Sequence, residues 1–180
     1  MASWRQPDAG DLDLVLLDLR MPGASGFSGL VLIRREFPDI PVIVVSASDE
    51  ATIMQRAMEY GASGFIPKSS DLSQIADALH TVLNGSLWLP TTLSQNTSPE
   101  EHEFAQRIKT LTPQQLRVFM MLTKGLLNKQ IASEVSVSEA TVRTHMTAIF
   151  RKLGVRNRTQ AVLAANYLNI DDPVDKVSSL

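Results

Sequence analysis

The stretch SEATVRTHMTAIFRKL, residues 138–153, decides how this sequence is interpreted. Its apolar residues recur at helical spacing and fall on one face: Val142, Met146, Ile149 and Leu153. The opposite face collects small, polar and cationic residues: Ala140, Arg143, Thr144, Thr147 and Arg151. Ser138 suits the N-cap position and Gly154 suits the C-terminal end. The pattern therefore predicts a helix over residues 139–153 with one packed face and one bare face.

The bare face has the chemistry of a helix that enters the major groove of DNA. Its small residues permit close approach, and Arg143 can read base edges. The face carries no acid after the first turn, while Thr141 and His145 lie at its flank, where phosphates would run. An ordinary amphipathic surface helix would show the same periodicity, so the flanking sequence has to decide between the two.

The flanking sequence predicts three more helices around this segment. Thr112 caps one, with Pro113 in its first turn, and it runs to Lys124. The others cover residues 128–134 and 159–169. Residues 136–138 form the turn between two of the helices. The result is a four-helix unit with a helix-turn-helix at its centre.

Residues 111–161 resemble the LuxR-type helix-turn-helix module, through the segments LTPQQL (111–116), GLLNKQIA (125–132), VSEATVRTH (137–145) and KLGVRNRTQA (152–161). The resemblance implies base-reading roles for Arg143, Thr144 and Thr147. It implies that the residues at or near phosphates are Asn128, Lys129, Thr141, His145, Arg151 and Lys152. It also implies pairing of two copies through the last helix. Leu127 departs from the small hydroxyl residue usual at its position, so we expect Asn128 to cap the second helix.

Charge is divided between the two halves of the chain. Residues 1–102 carry 6 basic and 13 acidic side chains, whereas residues 103–170 carry 10 and 3. This indicates that only the second half meets a polyanion. The sequence contains no cysteine, which excludes disulfides and thiolate metal sites. No apolar run approaches the length that spans a bilayer, so we expect no membrane partner and a cytoplasmic location.

The first half alternates strands and helices. Apolar strands are predicted at residues 12–19, 41–46 and 64–67, and helices at 28–37, 49–60 and 71–83, with a loop at 20–26. The third helix is expected to turn inward Leu72, Ile75, Ala76, Leu79 and Val82. Strict alternation of this kind predicts a parallel sheet.

Asp18, Ser46 and Lys68 each follow or end a predicted strand. A parallel sheet brings them to its carboxyl edge, where open α/β proteins place their sites. A carboxylate, a hydroxyl and an ammonium there favour an aspartyl-phosphate site. A stray acid beside surface residues would explain the positions equally well.

DLRMPG (18–23), VSA (45–47) and GASGFIPK (61–68) resemble the receiver domain of response regulators, and the whole chain resembles the NarL/FixJ family. The resemblance implies Asp18 as phosphoacceptor, Ser46 and Phe65 as the switch pair, and Lys68 as a phosphate ligand. The expected fold is a partial receiver, an α/β remnant with three parallel strands, joined to an all-α four-helix domain. We assign residues 1–85 to the truncated receiver, 86–109 to a linker with a short helix, 110–173 to the helix-turn-helix domain and 174–180 to a tail.

The receiver pattern lacks its first two strand-helix units and the acidic pair that holds Mg²⁺. Asp8 and Asp11 lie in the lead-in, and Asp13 stands five residues before Asp18 in the strand. None of them replaces the pair, so we expect weak Mg²⁺ affinity and poor phosphorylation. His80, His102 and His145 show no metal-ligand spacing. We expect no metal or cofactor, except Mg²⁺ if the receiver site works.

In the family's sheet order, the same loss turns the strand Asp13–Leu19 into an exposed apolar edge. This favours a homodimer through that edge or the uncovered sheet face, unless the linker helix folds back over it. The sequence predicts a DNA-binding transcription regulator, independent of phosphorylation, with double-stranded DNA as partner. Two alternatives stay open. One is a fragment of a regulator gated by phosphorylation and a sensor kinase; the other is an interaction protein that forms mixed dimers with a full-length relative. An enzyme is not expected, because aspartyl-phosphate hydrolases need an acid where Arg20 stands.

Overall fold

The computed structural model describes residues 12–21, 24–89 and 98–169. Its strands are β1 (Val15–Asp18), β2 (Arg20–Met21), β3 (Ala24–Ser25), β4 (Val42–Ser46) and β5 (Gly64–Pro67). Its helices are α1 (Ser28–Glu36), α2 (Ala51–Glu59), α3 (Leu72–Leu83), α4 (Pro99–Ile108), α5 (Pro113–Thr123), α6 (Asn128–Glu134), α7 (Glu139–Leu153) and α8 (Arg158–Ala164). A final 3-10 turn follows at Ala165–Leu168.

The first half contains a parallel sheet in the order β1-β4-β5. Strand β4 consists almost entirely of β-branched residues, and its successive side chains point to opposite faces of the sheet. Val42 and Val44 pack on the face covered by α1 and α2, whereas Ile43 packs on the face covered by α3. Trp88 adds a parallel bridge beside Gly64 of β5. The α/β fold expected from the alternating pattern is confirmed.

Two expectations for the first half were wrong. The loop after β1 contains a small antiparallel pair, β2 with β3. In α3, Ile75, Leu79 and Val82 pack on the core as expected, together with Ala78, whereas Leu72 is 85% exposed and Ala76 is exposed. The packed stretch of α3 begins at Ile75, after Leu72. Ala76 lies about 100° around the helix from Ile75 and therefore falls on its flank.

The second half is the expected all-α unit. Serine or threonine side chains cap three of its helices: Ser98 accepts from Glu101 N, Thr112 from Gln115 N and Ser138 from Thr141 N. Helix α6 differs from expectation, since Asn128 is its first residue and not its cap. Exposed Leu127 takes the cap position without a side-chain acceptor, and its N–H donates to Gln130 Oε1 at 2.8 Å.

The two halves pack directly on one another. One apolar core runs from the α1–α2 face of the sheet into the α4–α7 helices. At its margin, Arg35 donates to the backbone carbonyl of Leu111, and the Arg117 guanidinium lies 2.6 Å from Glu36 Oε1. Among the described residues, no helix is long and apolar enough to cross a membrane.

Candidate nucleic-acid interface and acidic site

Helix α7 has the two faces that its sequence predicts. Val142, Met146, Ile149 and Leu153 are buried against the neighbouring helices, mainly α6 and α5. The N-cap hydroxyl of Ser138 fixes the start of the helix. Gly154 ends it in the left-handed conformation, with φ of +70°. Both ends are therefore set by local chemistry, and packing sets the rotation of the helix about its axis.

The opposite face of α7 is open in the docked arrangement of the two halves. Arg143, Thr144 and Thr147 are all exposed, and the Arg143 side chain is 69% exposed. The two threonine hydroxyls each donate to a carbonyl four residues earlier, at 3.1 Å. Their oxygens remain acceptors, and their methyl groups remain available for apolar contact. This is a surface that can lie against base edges.

An acid of the first turn of α7 lies beside Arg143. Glu139 Oε2 is 3.8 Å from Arg143 Nη2, an exposed i,i+4 pair in the first turn of α7. Pairs of this kind contribute little to stability. The spacing of four residues in the sequence could have revealed this pair.

Five of the predicted phosphate contacts lie around the open face of α7 and the start of α6. The exposed ones are Thr141, Arg151 and Lys129, and the half-buried ones are Asn128 and His145. Thr141 also shares a 2.9 Å hydroxyl contact with Ser138, which orders the entry to the helix. The contact of these side chains with phosphate stays a prediction.

Lys152 differs from the other predicted phosphate contacts because it makes two intramolecular hydrogen bonds. Its Nζ donates to Thr110 O at 2.7 Å and to Gln115 Oε1 at 2.7 Å. These bonds join the end of α7 to the start of α5. Lys152 therefore helps to position α7 against α5.

The predicted carboxyl edge of the sheet also forms. Asp18 ends β1, Ser46 ends β4, and Lys68 follows β5. Lys68 Nζ donates to Asp18 Oδ2 at 2.6 Å, and the backbone N–H of Arg20 donates to Asp18 Oδ1 at 2.9 Å. The hydrogen bond from Lys68 and then that from Arg20 hold the pKa of the Asp18 carboxyl below its ordinary value. Asp18 is therefore an anion already paired with a cation.

The proposed switch residues are both buried. Ser46 is 1% exposed and its hydroxyl accepts from Ser48 N at 3.2 Å, while its carbonyl accepts from Lys68 N at 2.7 Å. Phe65 is fully buried in the core on the α1–α2 side. A backbone bond thus joins the serine strand to the lysine, which places the three polar residues at one edge.

Within residues 12–21, 24–89 and 98–169, no three acids or histidines lie together in a metal-binding group. Asp13 precedes β1 and lines a crevice of about 340 Å³ with Asp39, Ser63 and Gly85, at the amino edge of the sheet. Asp8 and Asp11 lie outside the described residues. Asp13 therefore cannot join Asp18 in holding a cation, because the two carboxylates lie at opposite edges of the sheet.

A receiver-type α/β domain joined to a helix-turn-helix domain, with one face of α7 open, is the architecture of the response-regulator class. A family model described as response regulator receiver domain matches residues 2–80, and one described as bacterial regulatory proteins, luxR family, matches residues 109–165. The chain belongs to the NarL/FixJ-type response regulators.

Similar proteins carry regulatory names. The chain is 45% identical over 163 residues to the glycerol metabolism activator of Pseudomonas putida, covering 86% of this chain and 74% of that protein. It is 34% identical over 155 residues to the nitrate/nitrite response regulator protein NarP of Escherichia coli K12, covering 85% and 72%. Both names are those of regulators and not of enzymes.

Among solved structures, RcsB from Salmonella enterica serovar Typhimurium bound to promoter P1flhDC matches with a TM-score of 0.44 and 22% identity. The match covers 88% of this chain and 77% of that one.

Proposed function

We propose that this protein binds specific double-stranded DNA sites in the cytoplasm and regulates transcription there, without acting as an enzyme. The observation that carries the proposal is the open face of α7, where Arg143, Thr144 and Thr147 are exposed while the opposite face is buried. The excess of basic residues in the second half supports attraction to the duplex.

In this proposal Arg143 reads base edges, and Thr144 and Thr147 add short-range contacts. Lys129 at the start of α6 meets phosphate. A bidentate arginine contact discriminates against a wrong base by about 1–3 kcal/mol, whereas a phosphate contact carries no sequence information. The two kinds of residue should therefore differ in what their loss changes.

Fluorescence anisotropy with a duplex selected by this protein from a random pool, and with a scrambled duplex, tests these roles. Arg143→Ala should lower the preference for the selected duplex by about 10- to 100-fold. Lys129→Ala should weaken both duplexes alike and reduce the slope of log affinity against log salt by about one. Arg20→Ala, an exposed cation of the front half, is the charge control. Equal binding of both duplexes by the unmodified protein would contradict the proposal.

We further propose that DNA binding does not depend on phosphorylation. Support comes from the described residues, among which no three acids or histidines form a metal-binding group that could supply the cation for phosphoryl transfer. Mass spectrometry after treatment with Mg²⁺ and a small phosphodonor should show no covalent phosphate. Covalent phosphate on Asp18 with a matching rise in DNA affinity would favour the alternative, a regulator gated by a sensor kinase.

A homodimer is the proposed assembly. Strand β1 lies at one edge of the described sheet, and Leu16 on it is 54% exposed. The resemblance adds the last helix as a second pairing surface, where Leu163 is 60% exposed. Light scattering at tens of micromolar, an order of magnitude guided by typical affinities, should give twice the chain mass. A monomer that binds a full-length relative tightly and DNA weakly would favour the mixed-dimer alternative.

A further inference from the structure

The carbonyl groups at the end of the 3-10 turn that follows α8 accept hydrogen bonds from the front half. Helix ends leave their last carbonyls without partners inside the helix. Here Arg56 Nη2 donates to Tyr167 O at 2.6 Å and to Asn169 O at 2.8 Å. The Tyr60 hydroxyl donates to Tyr167 O at 2.8 Å. Side chains of α2 and its C-cap residue thus close the end of the DNA-binding half.

A third donor completes this contact. The backbone N–H of Phe27, just before α1, donates to Leu168 O at 2.7 Å. The Phe27 ring lies under the Arg56 guanidinium, 4.9 Å from its centroid, and 5.2 Å from the Tyr60 ring. We call Phe27, Arg56 and Tyr60 the interdomain clamp. Its three members hold three consecutive carbonyls, so the last turn and the front half are fixed together.

The clamp is buried and electrostatically matched. Arg56 is 4% exposed, and its cation stands at the negative end of a helix dipole. Glu101 of α4 lies 3.7 Å from Arg56 Nε, close enough for an ion pair but too far for a hydrogen bond. Burial raises the pKa of the Tyr60 hydroxyl, which keeps it a neutral donor. A buried cation is costly when its partners are lost. Polar contacts therefore specify the docked arrangement together with apolar packing.

The front half docks on the side of the helical domain away from the open face of α7. Its contacts are with α4, α5 and the last turn, and Glu36 pairs with Arg117 of α5 at 2.6 Å. Arg143 and Thr147 of α7 stay exposed in the same arrangement. Docking and DNA contact therefore use different surfaces.

We propose that the interdomain clamp locks the two halves in the arrangement that binds DNA, so that binding requires no separation of the domains. This inference rests on the proposed DNA binding and adds how the front half takes part in it. The front half packs on the side of the helical domain opposite the open face of α7, where it caps the last turn. It does not cover α7.

Cross-linking tests the arrangement, because the chain has no cysteine of its own. Glu36→Cys with Arg117→Cys, joined by a short bis-maleimide, fixes the docked state. The cross-linked protein should bind the selected duplex within about threefold of the same variant left unreacted. A loss of more than about tenfold on cross-linking would overturn the proposal. An unreacted variant and an unmodified protein that both fail to bind would overturn the proposed function itself.

Hydrogen exchange tests the clamp independently of DNA. Arg56→Met should speed amide exchange in residues 165–169 by about tenfold, the effect of losing a helix cap. Tyr60→Phe removes only the hydroxyl and should give a smaller increase, and it carries the test if Arg56→Met does not fold. Arg20→Met, at an exposed position outside the clamp, should leave exchange unchanged. Unaltered exchange in the clamp variants would show that the clamp does not hold the last turn.

Discussion

Gly154→Ala is the perturbation whose cost the structure defines best. Gly154 ends the recognition helix with φ of +70°, and a Cβ there would lie 1.7 Å from Nη1 of Arg107. That nitrogen donates to Leu153 O at 2.9 Å. Alanine would therefore impose left-handed strain and also displace the guanidinium that closes the end of α7.

The magnitude follows from these two effects. A Cβ in the left-handed region costs about 1–2 kcal/mol. The charged hydrogen bond would cost more if buried, but Arg107 is 39% exposed, so we assign about 1 kcal/mol to its loss. Gly154→Ala should lower the free energy of unfolding by about 2–3 kcal/mol.

Gly125→Ala is the matched control. Gly125 has φ of +86° with nothing within 4 Å of the added Cβ, so only strain applies, about 1–2 kcal/mol. Urea denaturation followed by circular dichroism gives both values, and Arg107→Ala as background should bring the cost at Gly154 down to that at Gly125. Equal losses for the two glycine variants in the unmodified background would refute the steric argument.

Three further predictions concern single positions. Ser136 has φ of +54°, so Ser136→Gly should raise the free energy of unfolding by about 1 kcal/mol in urea titrations, while Ser133→Gly inside α6 should lower it by a similar amount. Leu127→Ser supplies the missing cap acceptor of α6 and should raise the midpoint of thermal unfolding, with a gain of about 0.5–1 kcal/mol; an unchanged or lower midpoint contradicts this. Asp18→Asn removes a carboxylate whose pKa is depressed below 3.8, so the stability it contributes is present above that pH and lost as the pH falls through the lowered pKa. Urea titrations of the unmodified protein and Asp18→Asn should therefore differ at pH 7 and converge in acid, and a difference that persists in acid would oppose the assignment.

Local chemistry made the DNA-binding half predictable. The bounds of α7 follow from Ser138, Gly154 and an apolar stripe of helical period, and each of these acts within one or two turns. The joint position of Asp18 and Lys68 follows from a topological rule, since parallel strands bring their carboxyl ends to one edge.

Local capping, helical period and strand topology do not predict the contacts between the two halves. Arg56 occupies an ordinary position on a short helix, and its carbonyl partners lie more than a hundred residues away. Lys152 has the charge expected of a DNA contact, yet Thr110 and Gln115 hold it. Leu72 fits the inward period of α3 but precedes the stretch of the helix that packs on the sheet, which begins at Ile75. In each case the outcome depends on where distant segments meet.

Selection of duplexes from a random pool, carried out in parallel with the unmodified protein and with Arg143→Ala, tests the central claim most directly. The unmodified protein should enrich one shared motif without any phosphodonor, and Arg143→Ala should lose the preference at one or two adjacent base pairs of that motif while keeping the remainder. A pool that stays unenriched, or a motif that is identical with Arg143→Ala, would show that the open face of α7 does not read DNA.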